Sequence, residues 1–227
     1  TNNDGSIQST VQANTTAGFS IVLWNGEGDG QATVGHGLGA VPKVIIPKNR
    51  DATGNWHMYH VGLDPSAPED YGILLNSANA RSNDSGFHND IAPTSSVFTV
   101  GTYNNFANDY VAYVFADVEG YSKFGVYEGN SNADGTYVFT GFRPAVVMFK
   151  NIDGSDEWVI GDNKRDPGNV VVGQLFPSTT GVESRSNNIC DFLSNGFKMR
   201  RNAGSINQVT HIYMAWAESP FKFSNAR

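Results

Sequence analysis

Apolar residues along the chain follow the patterns of short β-strands. Phe19, Ile21 and Leu23 recur at every second position, which is the pattern of a strand with one covered face. Continuous apolar runs at 44–46 and 110–116 are typical of strands covered on both faces. Nowhere do apolar residues recur at i, i+3, i+4 and i+7 over three turns, so no long helix is predicted. Gly, Asn or Pro separates the predicted strands, which span 19–24, 31–35, 44–46, 56–61, 73–75, 97–102 and 110–116.

The segment from Gly39 to Trp56 recurs from Gly141 to Trp158. Each copy holds a Gly, a Pro three residues later, an apolar run, a Lys-Asn pair and a Trp, all at one offset of 102 positions (158 − 56). Residues 212–218 likewise repeat 111–117. Five identities at one offset indicate a duplicated unit.

The predicted fold is therefore all-β, with two repeated antiparallel β-sandwich units, jelly-roll-like and related by a pseudo-two-fold axis. The units are expected at 18–120 and 121–227, after an extended linker over 1–17. Trp56, Trp158 and Trp216 lie on or beside predicted strands and are expected in the cores. Trp24 ends the first strand and is expected at the surface.

Composition supports this picture and excludes several functions. Only 16% of the 227 residues are charged, and Gly is abundant at 25, which suits many strands joined by turns. The net charge of −7, with few and scattered Lys and Arg, argues against nucleic-acid binding. No apolar run approaches 18 residues, so no membrane insertion is predicted, and residues 1–18 lack a signal-peptide pattern. Cys190 is the single cysteine and is expected to be a small buried residue.

Two patterns raise the question of a metal. His57 and His60 are three apart in a strand, where their side chains point to opposite faces. His60 is instead expected to end its strand at the surface. Residues 25–30 and 130–135 alternate oxygen-bearing side chains before a Gly, as calcium loops do, but lack the later bidentate Glu. Hairpin turns are the simpler interpretation. Neither a metal nor a cofactor is expected.

The chain offers little for catalysis. The Gly-x-Ser-x-Gly pattern is absent, and Glu157, Asp162 and Asp166 are close only in sequence, whereas glycosidase carboxylates depend on spatial separation. A non-enzymatic role is expected.

Loops that differ between the repeats are the best candidates for binding, since loops on a rigid sandwich carry specificity. These loops span 76–93, 103–109 and 178–190. An exposed aromatic ring beside Asn or Asp suits sugar recognition, because the ring covers the apolar face of a pyranose. The candidate binding residues are Trp24, His88, Asn89, Tyr103, Asn104, Asn105 and Phe106.

Several runs resemble a family of repeated β-sandwich domains at the C-terminal end of tail-fibre and other virion proteins of bacteriophages, notably marine and cyanobacterial ones. The resemblance covers nearly all of 18–227, and Pro47 departs from it, since the family has an aliphatic residue there. A proline within a strand favours a position at the edge of a sheet. The apolar run 44–46 favours a central strand instead, so the two patterns disagree about this strand. The runs are ATVGHGLGAVPKVI, APTSSVFTVG, VEGYSKFGVYEGN, LSNGFK and AESPFKFSNAR.

The resemblance implies a non-catalytic virion module, exposed at a fibre tip, that contacts the host surface. Together with the candidate aromatic and amide residues, this makes a host cell-surface polysaccharide the expected ligand. Its partners would be other virion subunits, with a homotrimer expected because fibres are commonly trimeric. Two alternatives stay open: a purely structural virion protein, such as a decoration or fibre-shaft domain, and a polysaccharide depolymerase.

Overall fold

The structure, a computed structural model, describes residues 1–28 and 30–219 and is almost entirely β. The chain divides into two compact units. The first comprises Thr1–Leu75 and Arg81–Asp117, and the second comprises Asn76–Ala80 and, of the described residues, 118–219. The sequence placed the boundary three residues later and did not predict that 76–80 joins the second unit.

Among its described residues, the first unit contains nine strands in two antiparallel sheets. The larger sheet has the order β1-β2-β9-β4-β5-β6-β7, and β3 pairs with β8. Short 3-10 turns occupy Pro68–Asp70 and Thr102–Asn104. The strands are β1 (Ser9–Asn14), β2 (Phe19–Asn25), β3 (Ala32–Gly35), β4 (Val44–Asn49), β5 (His57–His60), β6 (Tyr71–Leu74), β7 (Ser82–Asn83), β8 (Val97–Val100) and β9 (Asp109–Phe115).

Seven strands lie in the described part of the second unit. One sheet has the order β10-β16-β12-β13 and the other β11-β15-β14. A single helical turn, α1, spans Gly204–Asn207. The strands are β10 (Ser122–Glu128), β11 (Tyr137–Phe139), β12 (Pro144–Asn151), β13 (Val159–Asp162), β14 (Cys190–Leu193), β15 (Gly196–Met199) and β16 (Thr210–Ala217).

The two units share a strand order. The central part of the first sheet, β2-β9-β4-β5, corresponds strand for strand to β10-β16-β12-β13, and the pair β3-β8 corresponds to β11-β15. The antiparallel all-β fold is confirmed. The relation of the units by a pseudo-two-fold axis stays a prediction.

Each unit has an apolar core between its two sheets. In the first unit Val22 and Val114 of the large sheet share a cluster with Phe98 of β8. In the second, Phe149 of β12 and Phe197 of β15 do the same. Cys190 belongs to the second core, as predicted, and burial raises the pKa of its thiol.

The repeated Lys-Asn pair holds a turn in both units. Asn49 Oδ1 accepts main-chain N–H bonds from residues 51 and 52, and Asn151 Oδ1 accepts them from residues 153 and 154. Lys48 Nζ donates to two carbonyls of its turn, and Lys150 Nζ to Asn151 O, Gly154 O and Ala78 O at 2.6–3.1 Å. The pair is therefore structural.

The repeated glycine and tryptophan behave differently from each other. Gly39 and Gly141 both have positive φ, +68° and +85°, which explains why a glycine recurs there. Trp158 is fully buried, as predicted, but Trp56 and Trp216 are only half-buried. Trp56 stacks on Tyr113 with ring centroids 6.3 Å apart.

The linker prediction for residues 1–17 is wrong. Residues 9–14 form β1, which pairs with β2 over its whole length, and Ile7 lies in the first core at 5% exposure. The segment is polar because one side of an edge strand faces solvent, so its composition resembled that of a linker.

The edge position that Pro47 suggested is also wrong, since β4 lies between β9 and β5. The ladder to β5, however, involves only Val44 and Ile45. Pro47 thus lies beyond it, where β4 is paired with β9 alone, and a missing N–H is tolerated there.

None of the helices within the described ranges is long and apolar enough to cross a membrane.

Candidate functional site

Two loops of the first unit, 84–89 and 101–108, are joined by main-chain hydrogen bonds. Gly101 N donates to Phe87 O (3.1 Å) and Tyr103 N donates to Gly86 O (3.0 Å). A Cβ added at Gly101 would lie 2.5 Å from Ser85 O, so this close approach requires glycine. The loops therefore form one fixed surface.

Tyr103 presents its ring from this surface. It is 41% exposed, its hydroxyl donates to Asp84 Oδ2 at 2.7 Å, and its ring lies 5.4 Å from both His57 and Phe87. The hydrogen bond to Asp84 raises the pKa of the Tyr103 hydroxyl. Because both ends of the side chain are held, the ring has little rotational freedom to lose on binding.

Phe106 lies three residues further on and is 55% exposed. Its main chain is fixed, because Phe106 O accepts from Asn108 N at 2.7 Å and a Cβ added at Gly26 would lie 1.9 Å from that oxygen. The prediction that Tyr103 and Phe106 are at the surface is confirmed.

The two residues between them point inward. Asn104 is 1% exposed, and its Oδ1 lies 2.8 Å from His57 Nδ1, while Asn104 O accepts from Trp24 Nε1 at 3.3 Å. Asn105 is equally buried, and its Oδ1 accepts from Glu27 N. Their predicted role as ligand contacts is wrong, because both amides hold the loop from inside.

Trp24 is also not at the surface. It is 4% exposed and stacks on Tyr110 with centroids 5.2 Å apart and planes 11° apart. The side of β2 that faces the core carries Ser20, Val22 and Trp24. The other side, with the alternating residues Phe19, Ile21 and Leu23, is only half-buried, so the sequence pattern predicts the wrong buried face. Because β2 is apolar on both faces, alternation alone cannot tell which is inside.

Of the two candidate residues in the other loop, His88 is buried and Asn89 is partly exposed. His88 is 3% exposed, so its predicted surface position is wrong, and its Nε2 has no hydrogen-bond partner within the described part of the chain. Burial lowers the pKa of His88 to about 4. Asn89 is half-buried in a left-handed conformation (φ 54°), and its Nδ2 donates to Gln31 Oε1 at 2.9 Å.

His57 belongs to this surface, although the sequence raised it only as a metal ligand. It is half-buried, with its ring edge-on to Phe87, and burial lowers its pKa. We use the term Tyr103 patch for His57, Asp84, Tyr103 and Phe106. A residue at a strand start facing a distant loop gives no sequence signal, so His57 could not have been assigned to the patch.

The structure brings together no metal-binding group among the described residues. His60, expected at the surface, is fully buried and its Nδ1 accepts from Gly62 N. In the turn 130–135, Asp134 forms ion pairs with Lys198 (2.6 Å) and Arg200 (3.3 Å), and the bond to Lys198 lowers its pKa. Asp29 of the corresponding first turn lies outside the described residues.

The acidic residues weighed for catalysis have structural partners. Glu157 accepts from Ser178 Oγ. Asp162 pairs with Arg165, and Asp166 pairs with Arg185 and accepts from two main-chain N–H groups. These contacts stabilise the long loops between β13 and β14.

A second candidate surface is a shallow depression on β1 and β2, lined by Gln12, Asn14, Thr15, Phe19 and Ile21 among others. Its aromatic residue, Phe19, is half-buried, stacks on Tyr113 and lies tilted against Phe115. No charged side chain lines this depression and its one ring is less exposed than that of Tyr103, so we place the candidate site at the Tyr103 patch.

Comparison with known proteins gave one result. No curated protein and no solved structure matches the chain. Residues 1–220 match a family described as a domain of unknown function, DUF7483. Because the match covers nearly the whole chain, including both units, the chain belongs to the DUF7483 family.

Proposed function

We propose that this chain is a non-catalytic binding module of a bacteriophage virion, placed at a tail-fibre tip, and that its Tyr103 patch binds a host cell-surface glycan. The observation that carries the binding role is the Tyr103 ring, which is exposed yet held at both ends by Asp84 and His57. The virion assignment rests on the resemblance of the sequence runs to the tail-fibre family.

The chemistry of the patch suits a sugar. A pyranose has one apolar face, which an aromatic ring covers, and a rim of hydroxyls, which carboxylates and amides bind. The carboxylate of Asp84 accepts from Tyr103 and from Gly86 N, and each carboxylate oxygen has a further lone pair for a hydroxyl. Asn89 belongs to the same loop, but its amide group donates to Gln31 rather than to the patch.

Charge narrows the ligand class. The chain carries a net charge of −7, and the patch itself contains Asp84 and a histidine whose lowered pKa keeps it neutral at pH 7. An acidic polysaccharide would be repelled by such a surface. We therefore propose a neutral glycan.

The test is a glycan array followed by titration calorimetry on any hit. Tyr103→Ala should weaken binding about tenfold or more, since one exposed ring commonly supplies this much at a small site. Tyr137→Ala is the matched control, because Tyr137 is 43% exposed but lies in the second unit, and its binding should be unchanged. A Tyr103→Ala variant that binds as tightly as the unaltered chain would refute the assignment of the site.

The virion assignment has its own tests. Antibodies against the chain should label fibre tips in electron micrographs of particles, and light scattering should give three times the chain mass if the module is a homotrimer. Labelling of the capsid would support the decoration-protein alternative. Release of oligosaccharides from host polysaccharide by the purified chain would establish the depolymerase alternative.

A further inference from the structure

The polar side chains of the Tyr103 patch can accept further hydrogen bonds but have no free hydrogen to donate. Tyr103 has a single hydroxyl hydrogen, and the bond to Asp84 Oδ2 at 2.7 Å occupies it. The Asp84 carboxylate carries none, and its Oδ1 accepts from Gly86 N at 2.8 Å. The hydroxyl end of the Tyr103 ring therefore presents only oxygen lone pairs from these two side chains.

His57 is also an acceptor, because Asn104 fixes the position of its ring hydrogen. Asn104 Nδ2 donates to Phe87 O at 3.4 Å, so Oδ1 is the amide atom that lies 2.8 Å from His57 Nδ1. An amide oxygen only accepts, so the hydrogen of the neutral ring is on Nδ1 and Nε2 is left as an acceptor. Burial lowers the pKa of His57, which keeps the ring neutral at pH 7.

The Nε2 atom of His57 is open to a ligand. Within the residues that the structure describes it has no hydrogen-bond partner, and it is not one of the polar atoms that are buried without a partner. The nearby Nε2 of His88 is such a buried atom. Of these two histidines, only His57 can therefore use Nε2 to contact a ligand at the surface.

The acceptors are arranged around one aromatic ring. Asp84 binds the hydroxyl end of Tyr103, and the His57 ring lies 5.4 Å from the Tyr103 ring with their planes 36° apart. Glycine at position 86 leaves room for the hydroxyl end, since a Cβ there would lie 2.6 Å from Tyr103 Cε2. A sugar that covers the Tyr103 ring with its apolar face would place its rim hydroxyls beside Asp84 and His57.

A site made of acceptors sets a condition on its ligand. A free sugar hydroxyl satisfies it, because the hydroxyl can turn its hydrogen toward a carboxylate oxygen or an imidazole nitrogen. An ester or ether oxygen at the same place has no hydrogen, so it displaces water from the acceptor without replacing the hydrogen bond that the water donated. The loss is larger at Asp84 than at His57, because hydrogen bonds to charged groups are the stronger ones.

We propose, on the basis of the glycan binding proposed above, that the Tyr103 patch selects glycans by their free hydroxyl groups. Glycans whose hydroxyls are O-acetylated or O-methylated at the contact are rejected. Asp84 is the main determinant of this specificity, and His57 supplies the second acceptor.

The test compares ligands that differ by one hydrogen-bond donor. The probes are gluco-, manno- and galacto-oligosaccharides, each titrated by calorimetry into the unaltered chain together with analogues in which fluorine replaces the hydroxyl at one ring position of every residue. Fluorine is no larger than a hydroxyl but brings no hydrogen. For an oligosaccharide that binds, fluorine at one or more positions should weaken binding about tenfold or more, and O-acetylation of the same position should weaken it at least as much.

The two possible failures are distinguishable. Equal affinity for the free oligosaccharide and all of its altered forms would overturn the hydroxyl specificity and leave the glycan-binding role intact. Binding of none of the oligosaccharides in any form would contradict the glycan-binding role itself, and the specificity with it.

Asp84→Asn assigns the specificity to a residue. The amide brings N–H donors into the patch, so the ratio of affinities for the free and the fluorinated ligand should fall about threefold or more. Asp90→Asn is the matched control, because it makes the same change of charge at an exposed residue of the loop 76–93 outside the patch, and Asn tolerates the positive φ of 53° there. The control should keep the ratio unchanged, and a thermal melt establishes that both variants fold. An unchanged ratio in a folded Asp84→Asn variant would contradict the role of Asp84.

Discussion

The indole N–H of Trp24 donates a hydrogen bond to the main-chain oxygen of Asn104, 3.3 Å away and 80 residues later in the chain. Asn104 in turn engages His57 through its side chain. The first core strand, the loop 101–108 and the start of β5 are therefore linked by one buried residue, directly beneath the exposed rings of the Tyr103 patch.

Trp24→Phe removes this hydrogen bond and should destabilise the fold. The variant leaves Asn104 O without a donor and reduces the stacking on Tyr110, so a loss of about 2 kcal/mol in the free energy of unfolding is expected. Urea denaturation measures it. Phe106→Ala, at an exposed ring, is the control and should change stability by less than about 0.5 kcal/mol. Equal losses in the two variants would show that the buried link is not stabilising.

The repeated lysines should differ in importance. Lys150 is fully buried and donates to three carbonyls, so Lys150→Met leaves these acceptors unpaired and should cost about 3 kcal/mol. Lys48 is half-buried and its two bonds are longer, at 3.2 and 3.4 Å, so Lys48→Met should cost about 1 kcal/mol or less. Urea midpoints of the two variants make the comparison, and the reverse order would contradict it.

Stability should fall as the pH decreases from 6.5 toward 4. The pKa of His88 is lowered to about 4 in the fold, so in this window the unfolded chain binds more protons than the folded chain. The difference of 6.5 − 4 corresponds to about 3 kcal/mol lost by pH 4.

His36, His57 and His211 have lowered pKa values for the same reason, burial, and act in the same direction. The variant His88→Gln isolates one contribution, because its side chain stays neutral. Its unfolding free energy should depend less steeply on pH between 6.5 and 4.5 than that of the unaltered chain. An identical slope would show that His88 does not titrate as its burial implies.

Calcium should leave the melting temperature unchanged. In the turn 130–135 the Asp134 carboxylate is already paired with Lys198 and Arg200, and the oxygens of Asn130 and Asn132 accept main-chain N–H bonds. Scanning calorimetry with calcium and with a chelator checks this. A rise in melting temperature that grows with calcium concentration would reveal binding to the native state.

Much of the fold could be predicted from the sequence because the duplicated scaffold is local. Gly39 and Gly141 set a positive φ, and Asn49 and Asn151 hold the turns that follow with the same bonds. Features that depend only on neighbours a few residues away recur in both repeats, so they can be recognised from a single sequence.

The site could be predicted only in part, because its residues meet through long-range contacts. Tyr103 and Phe106 were assigned to the surface correctly, but the sequence does not show that Asn104 and Asn105 between them turn inward. Nor does it show which face of an apolar strand such as β2 is covered, and Trp24 was placed outside for that reason. Residues 1–17 resemble a linker in composition because an edge strand such as β1 is held mainly by main-chain hydrogen bonds and needs few apolar side chains.

The ammonium group of Lys150 donates a hydrogen bond to the main-chain oxygen of Ala78, a residue that precedes the repeat to which the lysine belongs. A protein expressed from the repeat boundary onward would therefore lack one hydrogen-bond acceptor for the buried ammonium group of Lys150. The second unit expressed alone from residue 121 onward should therefore be less stable than the same unit within the whole chain, and its folding should depend on residues that the chain supplies before β8.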